Sequence, residues 1–360
     1  MTASANGGTA LARTGRRGLA ALAGLLATVL PGGQSGARAA EAGPITLESF
    51  GSFHVGGRIV EITGQPIREY MPTTGGALNR IDPNGRYVVA PMYAQYYVPA
   101  ERRGAAPLML WHGAYLTGKT YETTPDGREG WDHFFLRRGW TTYVTDAAER
   151  GRAGWAMVPE IFQEPVFLPF QNPWERFRIG DGPGSYARGS TVAGGQFPSD
   201  PESYLAFMRQ VVPRFLSTDE DVVAGYVALL ERVGPSVVVA HSQGAAFAWQ
   251  VAGRRPDLFR ALVLVEPAGT GDPATAARLK DIPQVFLYGD AMDPRWSSIR
   301  ENVRRFAATV RAAGARVDEV DLPAAGIRGN SHMVMMDRNG DAVAGVIQDW
   351  LAARGLWRGA

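Results

Sequence analysis

The sequence predicts an α/β fold: a mostly parallel sheet with antiparallel N-terminal strands, helices on both faces and a cap insertion. Three observations carry that expectation. From Pro107 onward, short apolar runs alternate with segments of helical spacing, the order that a parallel sheet with crossover helices requires. Ahead of Pro107, alternating segments separated by turn signals suit an antiparallel opening. Residues 151–200 keep neither period and are rich in Gly, Pro and large aromatics, the composition of an insertion carried on a scaffold.

Taken in order, residues 1–40 read as an export signal. Arg13, Arg16 and Arg17 precede the apolar run Leu19–Leu30, and Ala37-Arg38-Ala39-Ala40 ends it with small residues. The run is too short to span a bilayer, so no stable membrane anchor is expected. Arg16-Arg17 admits the twin-arginine route as well as the Sec route, so an exported, periplasmic or extracellular protein is expected. Residues 41–360 then form the α/β domain.

Ile45 to Pro66 is strand-rich, with Gly56-Gly57 as the expected hairpin turn, and Asp82-Pro83-Asn84-Gly85 marks a second turn before Arg86–Val98. Leu108–Trp111 is a compact buried strand that runs into His112-Gly113-Ala114-Tyr115. Trp131–Arg138 has helical spacing and Trp140–Thr145 is a strand. Residues 151–235 are expected to cap the C-terminal edge of the sheet, because Trp155, Phe162, Phe167, Phe170, Trp174 and Phe177 would be costly to leave wet. Within that span, Asp200-Pro201 opens a helix expected to reach Phe215, and Thr218 opens another to Val233. Strands follow at Val237–Ala240, Arg260–Val265, Gln284–Tyr288 and Arg316–Leu322. A closing helix carries Val343, Val346, Ile347, Trp350 and Leu351 on one face.

Composition narrows the chemistry. A net charge of +2 without a basic run gives no footprint for nucleic acid. The chain has no cysteine, which removes a thiol nucleophile, a thiolate metal site and iron–sulfur chemistry. Hydroxyl, carboxylate and imidazole remain, and no cofactor or metal is expected.

The chemistry is organised around Val237-Val238-Val239-Ala240-His241-Ser242-Gln243-Gly244. A strand that turns at once into a helix, with a serine at the bend, is a nucleophile elbow of the α/β-hydrolase fold. The usual pattern has Gly where this chain has Ala240, a change that keeps the residue small. A serine nucleophile needs a base, and five histidines are available. His54 precedes the alternating section, His133 lies within a helix, and His112 belongs to the loop after a strand. His241 adjoins the serine, where the tight turn is expected to send its side chain elsewhere. His332 alone lies between the last strand and the last helix, where a base following Ser and acid in chain order must be. For the acid, two strand ends offer carboxylates: Glu266, and Asp290 with Asp293. Spacing leaves that choice open. The oxyanion hole is assigned to the backbone amides of Gln243 and Ala114.

The chain resembles the atypical secreted bacterial esterases of the α/β-hydrolase superfamily. The resemblance rests on His112-Gly113 with Leu116-Thr117-Gly118, Glu122–Gly127, Gly130-Trp131-Asp132, His241-Ser242-Gln243, Val265-Glu266-Pro267, Pro294-Arg295-Trp296, Gly329–Met333 and Asp337-Arg338-Asn339. It implies a Ser242, Glu266, His332 triad, which favours Glu266 over Asp290. It departs at the elbow, where relatives read Ser-His-Ser-Gln-Ser-Gly, and at Ala114-Tyr115, where some relatives have adjacent cysteines. The expected function is cleavage of carboxylic esters through an acyl-enzyme, on a small-molecule substrate with an apolar or aromatic group. A lactonase or peptidase could use the same triad, and a non-catalytic binding protein on the same fold is the rival outside enzymes. Activity is expected to fall within roughly pH 5 to 8 as the His332 imidazole gains a proton.

Overall fold

A computed structural model describes residues 43–156, 163–290 and 292–359. The expected export signal and Phe162 lie outside the described residues. Among the described residues the strands are β1 (Leu47–Ile62), β2 (Arg68–Tyr70), β3 (Asn79–Ile81), β4 (Gly85–Pro99), β5 (Leu108–Trp111), β6 (Thr142–Asp146), β7 (Ser236–His241), β8 (Phe259–Val265), β9 (Gln284–Tyr288) and β10 (Val317–Asp321). Among the described residues the α-helices are α1 (Trp131–Leu136), α2 (Gln171–Arg176), α3 (Ser185–Arg188), α4 (Pro201–Met208), α5 (Asp219–Val233), α6 (Gln243–Arg254), α7 (Pro294–Ala312) and α8 (Gly340–Ala352).

Eight strands make one sheet in the order β1-β4-β6-β5-β7-β8-β9-β10, while β2 and β3 pair separately. β1–β4 and β4–β6 are antiparallel; every pair from β6 through β10 is parallel. The central strands are buried on both faces, which is why β7 and β8 read as unbroken β-branched and apolar runs rather than alternating ones. One face is covered by α5, α6 and α7, through Tyr226, Trp249 and Phe306. The other is covered by α1 and α8, through Phe135, Ile347 and Leu351. Trp111, at the end of β5, stacks on Tyr226 of α5 with ring centroids 3.6 Å apart. That contact fixes the sheet end from which the loop after β5 departs.

Three expectations need correction. Gly56-Gly57 is not a hairpin turn, because β1 continues through it against β4. Gly57 and Ala90 face each other with positive φ between the pairs Gly56↔Pro91 and Arg58↔Val89, so the glycines bend a ribbon instead of reversing it. The bend presses Gly56 onto α5, where an added Cβ would stand 3.2 Å from Gly225 Cα. The helix opened by Asp200 stops at Met208 rather than Phe215. Pro213 forces the preceding residue toward extended backbone, and the freed stretch pairs elsewhere: Val212 N donates to Tyr115 O (2.9 Å) and Arg214 bridges Val166. The aromatic segment is not uniformly buried either. Trp155, Phe167 and Phe170 are exposed, while Trp174 joins the core with Tyr204 and Phe207.

α5, which the sequence placed inside the insertion, packs against β1, β4 and α6. What departs from the layered fold is therefore the span between β6 and α5. Among the described residues, no helix is long and apolar enough to cross a membrane.

Candidate active site

β7 ends at His241 and α6 begins at Gln243, so Ser242 alone makes the turn from strand to helix. Its φ of 54° and ψ of −118° lie where residues with a side chain rarely go. Such strain persists only when neighbours hold it. Here Ser242 N donates to Val265 O (2.9 Å), and Ser242 O accepts from Ala268 N (3.1 Å). The two small positions of the elbow are not equivalent. Ala240 fits, fully buried, whereas a Cβ on Gly244 would stand 2.5 Å from His112 O. Close passage between helix and strand thus needs glycine after the serine and not before it.

The structure brings Ser242, His332 and Glu266 into one hydrogen-bonded line. His332 Nε2 lies 2.9 Å from Ser242 Oγ, and His332 Nδ1 lies 3.2 Å from Glu266 Oε2. An ionised Glu266 can only accept, so Nδ1 carries the proton and Nε2 is free to receive one from the serine hydroxyl. Glu266 is completely buried directly after β8, with φ of 49°. Its Oε1 accepts from Arg178 Nη2 (2.7 Å) and from Gly289 N (2.6 Å). Burial alone would push the Glu266 pKa up, but the Arg178 charge and the His332 hydrogen bond outweigh it and hold the carboxyl at about 2. Burial also dominates at His332. It lowers the imidazole pKa against the pull of Glu266, and with Arg178 and Arg295 nearby the value is about 4.

Asp290 and Asp293, the other carboxylates the sequence offers, have different partners. Asp290 accepts from Gly329 N and Asn330 N, both at 2.8 Å, and so fastens the loop that carries His332. Asp293 caps α7 by accepting from Trp296 N (2.8 Å). Asp337, also buried, accepts from Ser331 N (2.8 Å) and Ser331 Oγ (2.7 Å) in the same loop.

Gln243 and Ala114 both line the cavity beside Ser242. Gln243 is the first residue of α6, so its amide is one of the helix-start donors that no intrahelical carbonyl reaches. The Ala114 amide is aimed by His112. Ala147 N donates to His112 Nε2 (3.0 Å), which leaves His112 Nδ1 to donate to Gly113 O (2.8 Å). In a trans peptide the Ala114 N–H points opposite to that carbonyl. Burial, followed by the charge of Arg150, lowers the His112 pKa to about 4 and keeps it neutral in this role. His241 does not turn wholly away from the site: its Nε2 lies 2.9 Å from His332 O, and its ring sits 4.7 Å from the His332 ring. His54 reaches Arg152 O and His133 pairs with Asp132, both apart from this cluster.

Sequence reasoning missed the segment Arg176-Phe177-Arg178. Three consecutive residues grip the site: Trp296 Nε1 donates to Arg176 O (2.7 Å), His332 N donates to Phe177 O (2.7 Å), and Arg178 holds Glu266. The rings of Phe177 and Trp296 stand 5.1 Å and 4.1 Å from that of His332. A buried carboxylate at Glu266 demands a cation, but nothing local in the sequence marks which arginine supplies it. Beside Ser242 lies a cavity of about 250 Å³, lined by Leu116, Leu168, Phe177 and Trp296 together with Arg176, Arg214 and Arg295.

This geometry and this sheet define a class, and comparison with known proteins agrees. Residues 189–317 match the family described as alpha/beta hydrolase fold. A solved structure titled as a novel bacterial esterase is 33% identical and superposes with a TM-score of 0.74, covering 87% of this chain and 98% of its own. A probable secreted lipase, phiG, from a fungal species is 26% identical over 325 residues, 74% of this chain and 87% of that protein. Lipase LipV of Mycobacterium tuberculosis is 34% identical over 117 residues, 32% of this chain and 40% of that one. The chain belongs to the α/β-hydrolase superfamily.

Because Arg178 is the buried countercharge of Glu266, Arg178→Met should destabilise the fold by about 3–5 kcal/mol, the cost of stranding one member of a buried pair. Urea unfolding measures it. A loss below about 1 kcal/mol would mean that the pair contributes no more than a surface ion pair does.

Proposed function

We propose that this protein is an exported carboxylic-ester hydrolase that works through an acyl-enzyme, with Ser242 as nucleophile, His332 as general base and Glu266 as the acid. The observation that carries this reading is the unbroken line from Ser242 Oγ through His332 to Glu266 at 2.9 and 3.2 Å, opening into a cavity. Ser242 Oγ attacks the ester carbonyl while His332 Nε2 takes its proton. The amides of Gln243 and Ala114 hold the developing oxyanion, a role in which one donor is worth about 3–4 kcal/mol. His332 then gives the proton to the departing alcohol, and water repeats the sequence to release the acid. Glu266 stays ionised and holds the imidazole in one tautomer. Residues between β6 and α5 act as the cap, and their apolar wall receives the hydrocarbon part of the ester. Export is supported by the pattern of residues 1–40 and by the likeness to a probable secreted lipase.

A fluorophosphonate probe should label Ser242 and fail to label Ser242→Ala; folded wild-type protein left unlabelled would favour a binding protein. On a short acyl ester, Glu266→Gln should lower kcat at least roughly 10³-fold, since it disturbs the imidazole tautomer. Asp290→Asn should cost far less, and the reverse order would move the acid to Asp290.

The structure shifts the expected pH dependence. The base must be neutral, and with a pKa of about 4 rather than 6.5 it stays neutral down to mild acid. The competent fraction is then constant above about pH 5 and falls about tenfold per unit below the imidazole pKa. A kcat/KM profile flat from about pH 5 to 8, with half-loss near the imidazole pKa of about 4, is expected. Half-loss near the ordinary histidine value would contradict it.

A further inference from the structure

The cavity beside Ser242 holds more positive charge than an ester carbonyl requires. Arg176 ends α2 and Arg295 lies in the first turn of α7, and both line the cavity. Among the described residues neither guanidinium has a carboxylate within ion-pair distance. Arg176 reaches Asn172 Oδ1 at 3.4 Å, and Arg295 stands 5.5 Å from the Trp296 ring. Asp293, two residues before Arg295, spends one oxygen on capping α7. Arg214, the third arginine of the wall, is different, since Asp219 accepts from it at 2.7 Å.

The two unpaired guanidiniums are close enough to oppose each other. The Arg295 pKa is lowered first by partial burial and next by the charge of Arg176, which together outweigh the opposing pull of Asp293. They are also held there by the backbone. Trp296 Nε1 donates to Arg176 O at 2.7 Å, and the residues that follow Arg176 are fastened to His332 and Glu266. Like charges kept together beside a half-apolar cavity are relieved by an anion between them. A carboxylate accepts charge-assisted hydrogen bonds from both, the strongest polar contacts this wall can offer.

We propose that the substrate is an ester that also carries a carboxylate, held by Arg176 and Arg295 while its carbonyl meets Ser242; this rests on the hydrolase function proposed above. The apolar wall of Leu116, Leu168, Phe177 and Trp296 then takes the chain between or beyond the two groups.

The test compares kcat/KM for two matched pairs of esters. Monoethyl glutarate against its monoamide isostere places the carboxylate on the acyl side. 3-Carboxyphenyl butyrate against 3-carbamoylphenyl butyrate places it on the alcohol side. At least one acid should exceed its amide by about tenfold or more, mainly through KM, as expected for hydrogen bonds to a charged group. Added salt should shrink that ratio, and the double variant Arg176→Gln/Arg295→Gln should bring it to within about twofold of unity. If that variant does not fold, the wild-type ratio and its salt dependence decide. Ratios near one in wild type, or a ratio that the double variant leaves unchanged, overturn the anionic substrate while fluorophosphonate labelling of Ser242 keeps the hydrolase. Loss of both labelling and all turnover removes the two together.

Discussion

The structure depends on how one buried carboxylate is kept ionised. Glu266 has no exposed surface, and a lone charge in such a place would neutralise or destabilise the fold. Arg178 and the Gly289 amide satisfy one oxygen and His332 the other. Because Arg178 comes from the span between β6 and α5, that span cannot be a detachable cover. The same three residues that end in Arg178 also bond the Trp296 indole and the His332 backbone. The span between β6 and α5 and the Ser242–His332–Glu266 line are therefore joined by one buried ion pair and two backbone contacts.

The remaining supports all fix backbone rather than add contacts to a substrate. Asp290 and Asp337 hold the amides of the loop carrying His332, His241 reaches the carbonyl of His332, and His112 sets the peptide that presents Ala114. Ser242, Glu266 and Arg178 all have positive φ. Three strained residues in one cluster indicate that packing imposes the geometry in advance, the condition under which fixed dipoles stabilise a transition state without reorganising. That dry enclosure also lowers the basicity of the His332 imidazole, burial being the largest cause.

Much of this was legible in the sequence. The alternation after Pro107 gave the parallel sheet, and chain order singled out His332 because a base must follow both nucleophile and acid. The candidate acids were not separable by spacing, since Glu266 and Asp290 both follow strand ends; their partners distinguish them, an imidazole for one and two amides for the other. Gly56-Gly57 looked like a turn because a glycine pair that reverses a chain and one that bends a ribbon are the same letters. The aromatics between β6 and α5 suggested an apolar lid, yet composition does not say which faces are wet, and Trp155, Phe167 and Phe170 point outward. Arg176 and Arg178 stood among many arginines with nothing local to mark them, and Arg295 entered only within Pro294-Arg295-Trp296, with no role attached to its charge. The Arg178–Glu266 pair joins residues 88 positions apart, a contact that no local pattern announces.

The central claim is that Ser242 is acylated during turnover. Rapid acid quench with a slowly hydrolysed ester, followed by peptide mass mapping, reads it directly. The account predicts the acyl mass on the peptide containing Ser242, formed faster than the product acid is released. Turnover with no adduct, or an adduct on another residue, would contradict it.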